Sequence, residues 1–370
     1  MSKMPAWADM VLIPLISLIL AGLLSALVIL AIGESPIEAV NLMITGALGS
    51  SYGWGYTLYY ATNFMFTGLA VSVAFHARLF NIGGEGQAML GGLGVALACL
   101  YIPWPHWSLA LLGAIICGAA FGGLWALLPA YLQAKRGSHI VITTIMFNFL
   151  AASIMVSLLA GMLKSGGQMS PETRAFTDAA SLPMIHEILQ GLGFDVARSP
   201  LNLSFVIALL ACVGVWGLVW RSRLGYAIRA VGQSPQAAQY AGISIERIII
   251  ITMAISGGLA GLMAINEILG VQHRVILNFT SGYGFTGIAV ALMGRNHPFG
   301  IILASLLFGA LYQGGAELDF EFSTITREMV LMIQGLIILF SGALSFMFQK
   351  PLQRLFSRLT AGSETETAHG

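Results

Sequence analysis

Arg229 to Ile243 reads RAVGQSPQAAQYAGI, a polar, small-residue stretch between apolar runs in a chain that is 57% hydrophobic and 9% charged. Its local pattern is helical: Ser234 is suited to cap a helix, Pro235 to its first turn, Gln236 to Tyr240 to its body, and Gly242 to its stop. Ala237 and Ala238 carry little side chain, so another protein could approach the backbone closely. A membrane protein that keeps such a shaped element on one face is expected to dock something there. The plainer alternative is an amphipathic connector, since small residues and a terminal glycine are common in both.

The surrounding chain sets the class. Mean hydropathy of +0.84 and 44 glycines in 370 residues lie outside the range of soluble globular domains. Runs long enough for a hydrocarbon core about 30 Å thick fall near Val11–Ile32, Tyr56–Phe75, Trp107–Leu132, Ile140–Leu163, Leu203–Trp220, Ile248–Leu269 and Met329–Phe348. Shorter or glycine-interrupted candidates are Gly84–Ile102, Gly284–Met293 and Phe299–Tyr312. The reading is an all-α polytopic membrane protein of about ten spans, with both termini cytoplasmic. That orientation puts Arg78, Lys135, Arg136, Arg221, Arg223, Arg229, Arg247, Arg295, Lys350, Arg354 and Arg358 inside and Glu34, Glu38, Glu317, Asp319 and Glu321 outside. Lys164, Arg174, Arg198, Arg274 and Arg327 are the exceptions. The first apolar run is read as a retained helix, being too long for a signal-peptide core.

Residues 1–350 are expected to form the transmembrane domain, with a cytoplasmic segment at 221–247 and an outer loop at 164–200; residues 351–370 read as a cytoplasmic tail with a disordered end. Short, glycine-interrupted spans at matching places suggest an inverted repeat of spans 2–5 and 7–10. Cys99, Cys117 and Cys212 lie within apolar runs and suit neither a disulfide framework nor a metal site. The sequence contains no phosphate-binding G-x-x-x-x-G-K-[ST] string and no H-E-x-x-H or C-x-x-C motif. Nothing in it points to an enzyme, a bound metal or a nucleic-acid partner.

Three ordered strings carry a resemblance. Arg229 to Ile243 resembles R-A-V-G-x-(N/S)-P-x-A-A-x-Y-A-G-I, the coupling segment of ABC importer permeases of the ribose, nucleoside and branched-chain amino acid superfamily. Phe80 to Gln87, FNIGGEGQ, resembles the F-N-I-G-x-E-G-Q signature of the nucleoside and simple-sugar branch. Gly282 to Gly294, GYGFTGIAVALMG, resembles that branch's second-half signature. Where many relatives carry Asn, this chain has Ser234, which caps about as well but lacks the amide. Length and outer loop resemble the guanosine-type permease that pairs with a shorter, non-identical permease.

The resemblance implies a translocation subunit in a prokaryotic inner membrane. Its expected partners are a cytoplasmic ATPase that binds ATP and Mg, a second permease, an extracytoplasmic substrate-binding protein and membrane lipid. It implies ATPase coupling through Arg229, Gly232, Ser234, Pro235, Ala237, Ala238, Tyr240, Gly242 and Ile243. Candidates for the translocation pathway are Asn81, Glu85, Gln87, Asn148, Glu267 and Phe285, because buried amides and carboxylates are costly in hydrocarbon unless they serve a route or a broken helix. Glu85 is read either as a group that satisfies backbone freed at a helix break or as a carboxylate facing water. Thr143 and Thr144 are read as back-bonding to their own helix, and Phe64, Phe66 and Phe147 as packing or stacking rings. Gly118 with Gly122, and Gly257 with Gly261, form GxxxG pairs for close helix packing. Nucleosides are the first substrate expectation and simple sugars the next. An ion-coupled secondary transporter using Glu85 and Glu267 is the rival class.

Overall fold

The computed structural model describes residues 12–167, 169–322, 324–326, 329–336 and 339. Among these the only extended pairings are two isolated bridges, Glu172 with Ile276 and Met184 with Asn202. The helices are α1 (Ile13–Ile32), α2 (Pro36–Leu48), α3 (Ser51–His76), α4 (Gly84–Tyr101), α5 (Trp107–Arg136), α6 (Ile140–Ala160), α7 (Ile185–Gly191), α8 (Ser204–Trp216), α9 (Arg223–Gln233), α10 (Pro235–Tyr240), α11 (Ile245–Ala264), α12 (Tyr283–Met293) and α13 (Pro298–Glu321). Wider π-helical turns extend α8 through Gly217–Arg221 and α11 through Ile265–Gln272.

Six helical stretches among the described residues are long and apolar enough to cross a membrane: Ser51–His76, Trp107–Arg136, Ile140–Ala160, Ser204–Arg221, Ile245–Gln272 and Pro298–Glu321. The remaining expected spans take other forms. The first apolar run bends by 117° between Ile19–Ile32 and Pro36–Leu48. Gly33 lies at φ +97° at the end of α1 and caps it there. With 11 residues, α12 is about 16 Å long, half the hydrocarbon thickness. Most of Met329–Phe348 and all of the 351–370 tail lie outside the described residues.

Two compact units make up the chain. One contains the described residues up to Gly46 together with those from Leu311 onward, and its core gathers Ala21, Ile29, Ala39, Leu318, Ile325, Val330 and Ile333. The other runs from Ala47 to Ala310 and holds the three signature strings.

Within this second unit, α3 and α11 are the most enclosed long helices, and they run antiparallel. The Ser256 hydroxyl of α11 donates to the Ala70 carbonyl of α3 at 2.6 Å, while Glu267 beyond α11 meets Tyr59 near the opposite end of α3. Each of the two is followed by a turn back into the bundle and a second helix that starts at depth. Arg78 (φ +54°) makes the first turn and His273 (φ +51°) the second, both non-glycine residues in the left-handed region directly after a long helix. α4 then rises beside α11, with Gly91 against Gly261, and α12 descends beside α3, with Phe64 against Tyr283 and Gly287 against Thr67. The N-termini of α4 and α12 therefore meet head to head, Gly84 beside Gly284.

Glycine sets the closeness of the α5 to α11 crossing. A side chain on Gly118 would meet the Gly261 carbonyl, and one on Gly122 would overlap the Gly257 carbonyl; the reciprocal contacts hold from the other side. The four glycines of the two GxxxG pairs thus form one continuous seam with backbone on backbone.

The 164–200 loop covers the second turn. Thr173 and Phe176 donate their backbone N–H groups to Val275 and His273, and Leu182 donates to Leu269. Arg274, one of the charges that breaks the inside-positive pattern, pairs with Glu172 at 3.0 Å, and Arg174, another, donates to the Leu100 carbonyl at 2.6 Å.

Candidate functional site

The segment from Arg223 to Ile243 folds as two short helices joined at Ser234. Ser234 is extended (φ −154°, ψ 102°) and its hydroxyl accepts from the Ala237 N–H at 3.3 Å, so it caps α10, while Pro235 fills the first turn. Gly242, at φ +80°, ends the element. Tyr240 is 95% exposed, and Pro235, Gln236, Ala237 and Gln239 are exposed around it.

Two residues of the expected docking set face the other way. Ala238 is buried in a cluster with Ile228, Val231, Ile248, Met253, Ala74 and Leu79. It seats α10 on its own protein, because a six-residue helix needs one small face to lie flat. Gly232 is buried against the end of α3, where a side chain would run into the His76 carbonyl. These two positions fix the element, and the exposed surface belongs to Pro235, Gln236, Ala237 and Gln239 through Gly242. Arg229 and Ile243 are partly buried at its edges.

Below the element, several chain ends converge. The His76 ring meets Trp220 edge-on at 5.0 Å, and Trp220 lies 4.9 Å from His297. The Asn296 carbonyl accepts from His76 Nε2 at 3.0 Å and from the Ser72 hydroxyl at 2.8 Å. The ends of α3, the α8 extension and the turn after α12 are thus held together under α9. Lys135 at the end of α5 pairs with Glu246 at the start of α11.

Three of the six pathway candidates, Asn81, Gln87 and Asn148, surround the start of α4. Asn81 donates to Gln87 Oε1 and Ser256 Oγ, both at 2.9 Å, and its Oδ1 accepts from the Gly83 N–H at 2.9 Å and from Gln87 Nε2 at 3.1 Å. Asn148 of α6 accepts from the Gly86 N–H and donates to the Ile82 carbonyl, both at 2.9 Å. These amides occupy backbone groups that have no helical partner at a helix start. Thr144 bonds back to Ile140 at 2.8 Å and also accepts from the Ile82 N–H at 3.3 Å.

Glu85, in the first turn of α4, reaches across to α12. Its Oε1 accepts from the Thr280 hydroxyl at 2.5 Å and the Gly282 N–H at 3.0 Å, and its Oε2 accepts from the Gly284 N–H at 2.8 Å. Gly282, at the cap position of α12, has no side chain to do this. A carboxylate between two helix N-termini also faces the positive ends of both dipoles. Glu85 is 5% exposed, so it is not a loop carboxylate facing water.

A second buried network lies toward the Tyr59 end of α3, away from Ala70 and Ser256. Glu267 Oε1 accepts from the Tyr59 hydroxyl and Asn63 Nδ2, both at 2.6 Å, and its Oε2 accepts from Gln272 at 3.3 Å. Asn266 continues the network: it donates to Asn63 Oδ1 at 2.8 Å and accepts from Ser204 Oγ at 2.8 Å and Asn202 Nδ2 at 3.0 Å. The sequence named Glu267 but gave no sign of Asn202 and Asn266, whose partners are remote along the chain. Phe285 stands apart from both networks, 47% exposed on α12.

This bundle of antiparallel broken helices, with an exposed capped helix at one end and no nucleotide-binding string, has the form of a membrane permease. The family model described as the permease component of branched-chain amino acid transport systems matches residues 53–342, and the chain belongs to that family. It is 36% identical to the guanosine ABC transporter permease NupP of Bacillus subtilis, over 92% of this chain and 96% of the relative. It is 33% identical to the nucleoside permease NupB of Lactococcus lactis, over 89% and 90% of the two chains. It is 32% identical to a glucose ABC transporter permease of Haloferax volcanii, over 88% and 86%. A second guanosine permease of Bacillus subtilis, NupQ, is 28% identical over 68% of this chain and 78% of its own. No solved structure matches. The chain is the translocation subunit of an ABC importer and is not itself an enzyme.

Proposed function

We propose that this subunit imports nucleosides through a prokaryotic cytoplasmic membrane, paired with a second, non-identical permease and driven by cytoplasmic ATPases. The observation that carries the reading is the joint match to guanosine and nucleoside permeases across about nine-tenths of the chain. The presence of two guanosine permeases of unequal similarity in one organism supports a non-identical permease partner. An extracytoplasmic binding protein delivers the solute, and ATP with Mg is bound by the ATPase.

The topology proposed is ten crossings with both termini inside, in which α12 and the bent first run count as partial spans. The pairs α3 with α4 and α11 with α12 are the central members of an inverted repeat, a reading supported by their antiparallel placement and matching left-handed turns. Residues 1–350 form the permease domain, 221–247 its coupling segment, 164–200 its outer loop and 351–370 its tail.

In the proposed stroke, the ATPase grips the exposed surface of α10. Ala238 and Gly232 transmit the displacement because they are packed against α9 and the end of α3. The glycine seam lets α5 and α11 move past each other without unlocking side chains. Glu85 holds the two mid-bundle helix starts together, Asn81, Gln87 and Asn148 complete the start of α4, and Glu267 ties the extension of α11 to α3 in the outer half. Non-helical backbone at membrane depth survives only inside protein or beside a water-filled cavity. Phe285 and the start of α12 therefore line the route shared with the second permease.

Glucose is the second reading, favoured by the 32% identity to the Haloferax permease. Uptake of labelled guanosine and glucose by cells lacking this chain and resupplied with it separates the two. Guanosine uptake that needs ATP and survives an uncoupler is the expected result. Glucose uptake alone would select the second reading, and guanosine uptake that collapses with the uncoupler while ATP holds would point to a secondary transporter. Tyr240→Ala is expected to lower transport at least tenfold while membrane levels stay unchanged; full transport in that variant would remove α10 as the docking element.

A further inference from the structure

The outer half of α3 carries tyrosines at a helical repeat: Tyr52, Tyr56 and Tyr60, followed at the same spacing by Phe64. Residues four apart lie on one helix face, so the rings form a column. Tyr52 and Tyr56 have centroids 4.7 Å apart with planes at 45°, and Tyr56 and Tyr60 are 6.5 Å apart at 44°. Phe64 then meets Tyr283 edge-on at 5.5 Å, at the first residue of α12. The column therefore leads from the outer end of α3 to the place where α4 and α12 meet.

Exposure falls along it: Tyr52 is 42% exposed, Tyr56 and Tyr60 are half-buried, and Phe64 is fully buried. An interfacial aromatic belt would stay within the headgroup layer, roughly 5–8 Å on each side of the hydrocarbon. From Tyr52 to Tyr60 the helix rises about 12 Å, and to Phe64 about 18 Å. That depth exceeds a belt. The column runs into the enclosed part of α3, which is the most buried span among the described residues. Beside the column, Tyr59 holds the Glu267 carboxylate, which gives the wall polar groups as well as flat faces.

We propose that Tyr52, Tyr56 and Tyr60 form a stacking track for the heterocyclic base of a nucleoside, handing it ring by ring from the outer mouth of the pathway to the start of α12. The inference rests on the nucleoside reading given above and adds the surface that distinguishes a base from a sugar. Stacking suits transport because it depends on a π-face common to every base and needs no fixed hydrogen-bond pattern. Tyr52 is exposed and Tyr56 and Tyr60 are half-buried, and the rings are tilted at about 45° to each other with no closed sandwich; Tyr60 also packs on Tyr59 at 5.2 Å.

The test uses cells lacking this chain and resupplied with wild type or a variant, with immunoblots of membrane fractions to fix the amount of protein. Wild type is measured first with labelled guanosine, cytidine and glucose. Transport of glucose without either nucleoside would sink the nucleoside reading before any variant is made, and the track with it. With nucleoside transport in hand, Tyr56→Leu and Tyr60→Leu are expected to lower guanosine uptake about tenfold, to lower cytidine uptake less, and to leave protein levels unchanged. Tyr56→Phe and Tyr60→Phe keep the ring and are expected to stay within twofold of wild type. Wild-type guanosine uptake in both Leu variants would overturn the track while leaving the nucleoside reading standing. Loss in the Phe variants equal to that in the Leu variants would overturn it as well, since the hydroxyl rather than the ring would then be at work. Should a Leu variant fail to accumulate, Tyr56→Cys labelled by a water-soluble maleimide gives an independent answer. Protection by guanosine but not by ribose supports the track, and equal labelling with and without guanosine overturns it.

Discussion

The two turns that follow α3 and α11 share a plan and differ in what holds them. Each begins at a left-handed, non-glycine residue, Arg78 or His273, and each delivers a helix that starts inside the bundle. The first is finished by nearby amides: Asn81 and Gln87 bond to each other and to local backbone, and Asn148 binds both Ile82 and Gly86. The second has no such set, and the start of α12 is capped by Glu85 from the other helix. The dependence therefore runs one way. The start of α4 is completed by its own turn and by Asn148 of α6, whereas the start of α12 is completed by Glu85 of α4.

The largest expected effect follows from removing the shared group. Glu85→Leu leaves the Thr280 hydroxyl and the Gly282 and Gly284 N–H groups without an acceptor, at about 1–3 kcal/mol for each buried donor. Transport should fall below a tenth of wild type and the detergent-solubilised protein should melt well below it. Glu85→Gln should fall between, because the carboxylate accepts on both oxygens and an amide would turn its NH2 toward one donor. A fully active Leu variant would end the claim that α12 depends on α4.

Next comes a pair of alanine substitutions at the meeting point. On Gly284 a Cβ would lie 2.5 Å from Glu85 Cα and 2.7 Å from the Gly84 carbonyl carbon, so backbone must shift. Overpacking of that kind costs about 1–3 kcal/mol. On Gly84 the nearest atom to a Cβ is the Gly284 oxygen at 3.5 Å, an ordinary contact. Thermal melts of Gly284→Ala and Gly84→Ala should therefore separate clearly, with Gly84→Ala close to wild type. Equal melts would break the asymmetry.

Asn148→Ala should lie between those two. It frees one N–H and one carbonyl at the start of α4, but Thr144 remains within reach of Ile82. A loss of about 2 kcal/mol or less is expected, read as a lower melting temperature with transport partly kept. A loss as large as that of Glu85→Leu would mean that the first turn leans on α6 as heavily as the second leans on α4.

Much of this was legible in the chain. The apolar runs Tyr56–Phe75, Trp107–Leu132, Ile140–Leu163, Leu203–Trp220 and Ile248–Leu269, the capping sequence at Ser234 and Pro235, and the paired glycines all depend on local spacing, and each lies where such spacing implies. The face of α10 was not readable: six residues are fewer than two turns, too few for a periodic pattern to tell Ala237 from Ala238. Nor were the partners of Glu85, which lie on a segment about 200 residues away and include two backbone N–H groups that carry no residue signature. The tyrosine column was present as a spacing of four in Tyr52, Tyr56 and Tyr60, but an aromatic at the end of a span reads first as an interfacial anchor. α2 was missed because Glu38 and the preceding Ser35-Pro36 pair interrupt an otherwise apolar stretch.

The unbroken course of α11 from Ile245 through its π-helical extension makes it a lever. Between Ile245, next to the α10 surface, and Glu267 there are 22 residues of helix, about 33 Å. A tilt of only about 5° about the inner end would carry Glu267 sideways by about 3 Å over that length, as far as the hydrogen bonds that hold it are long. The Tyr59 and Asn63 contacts would then act as a latch, shut until the stroke at the opposite face exceeds a set angle and released together once it does.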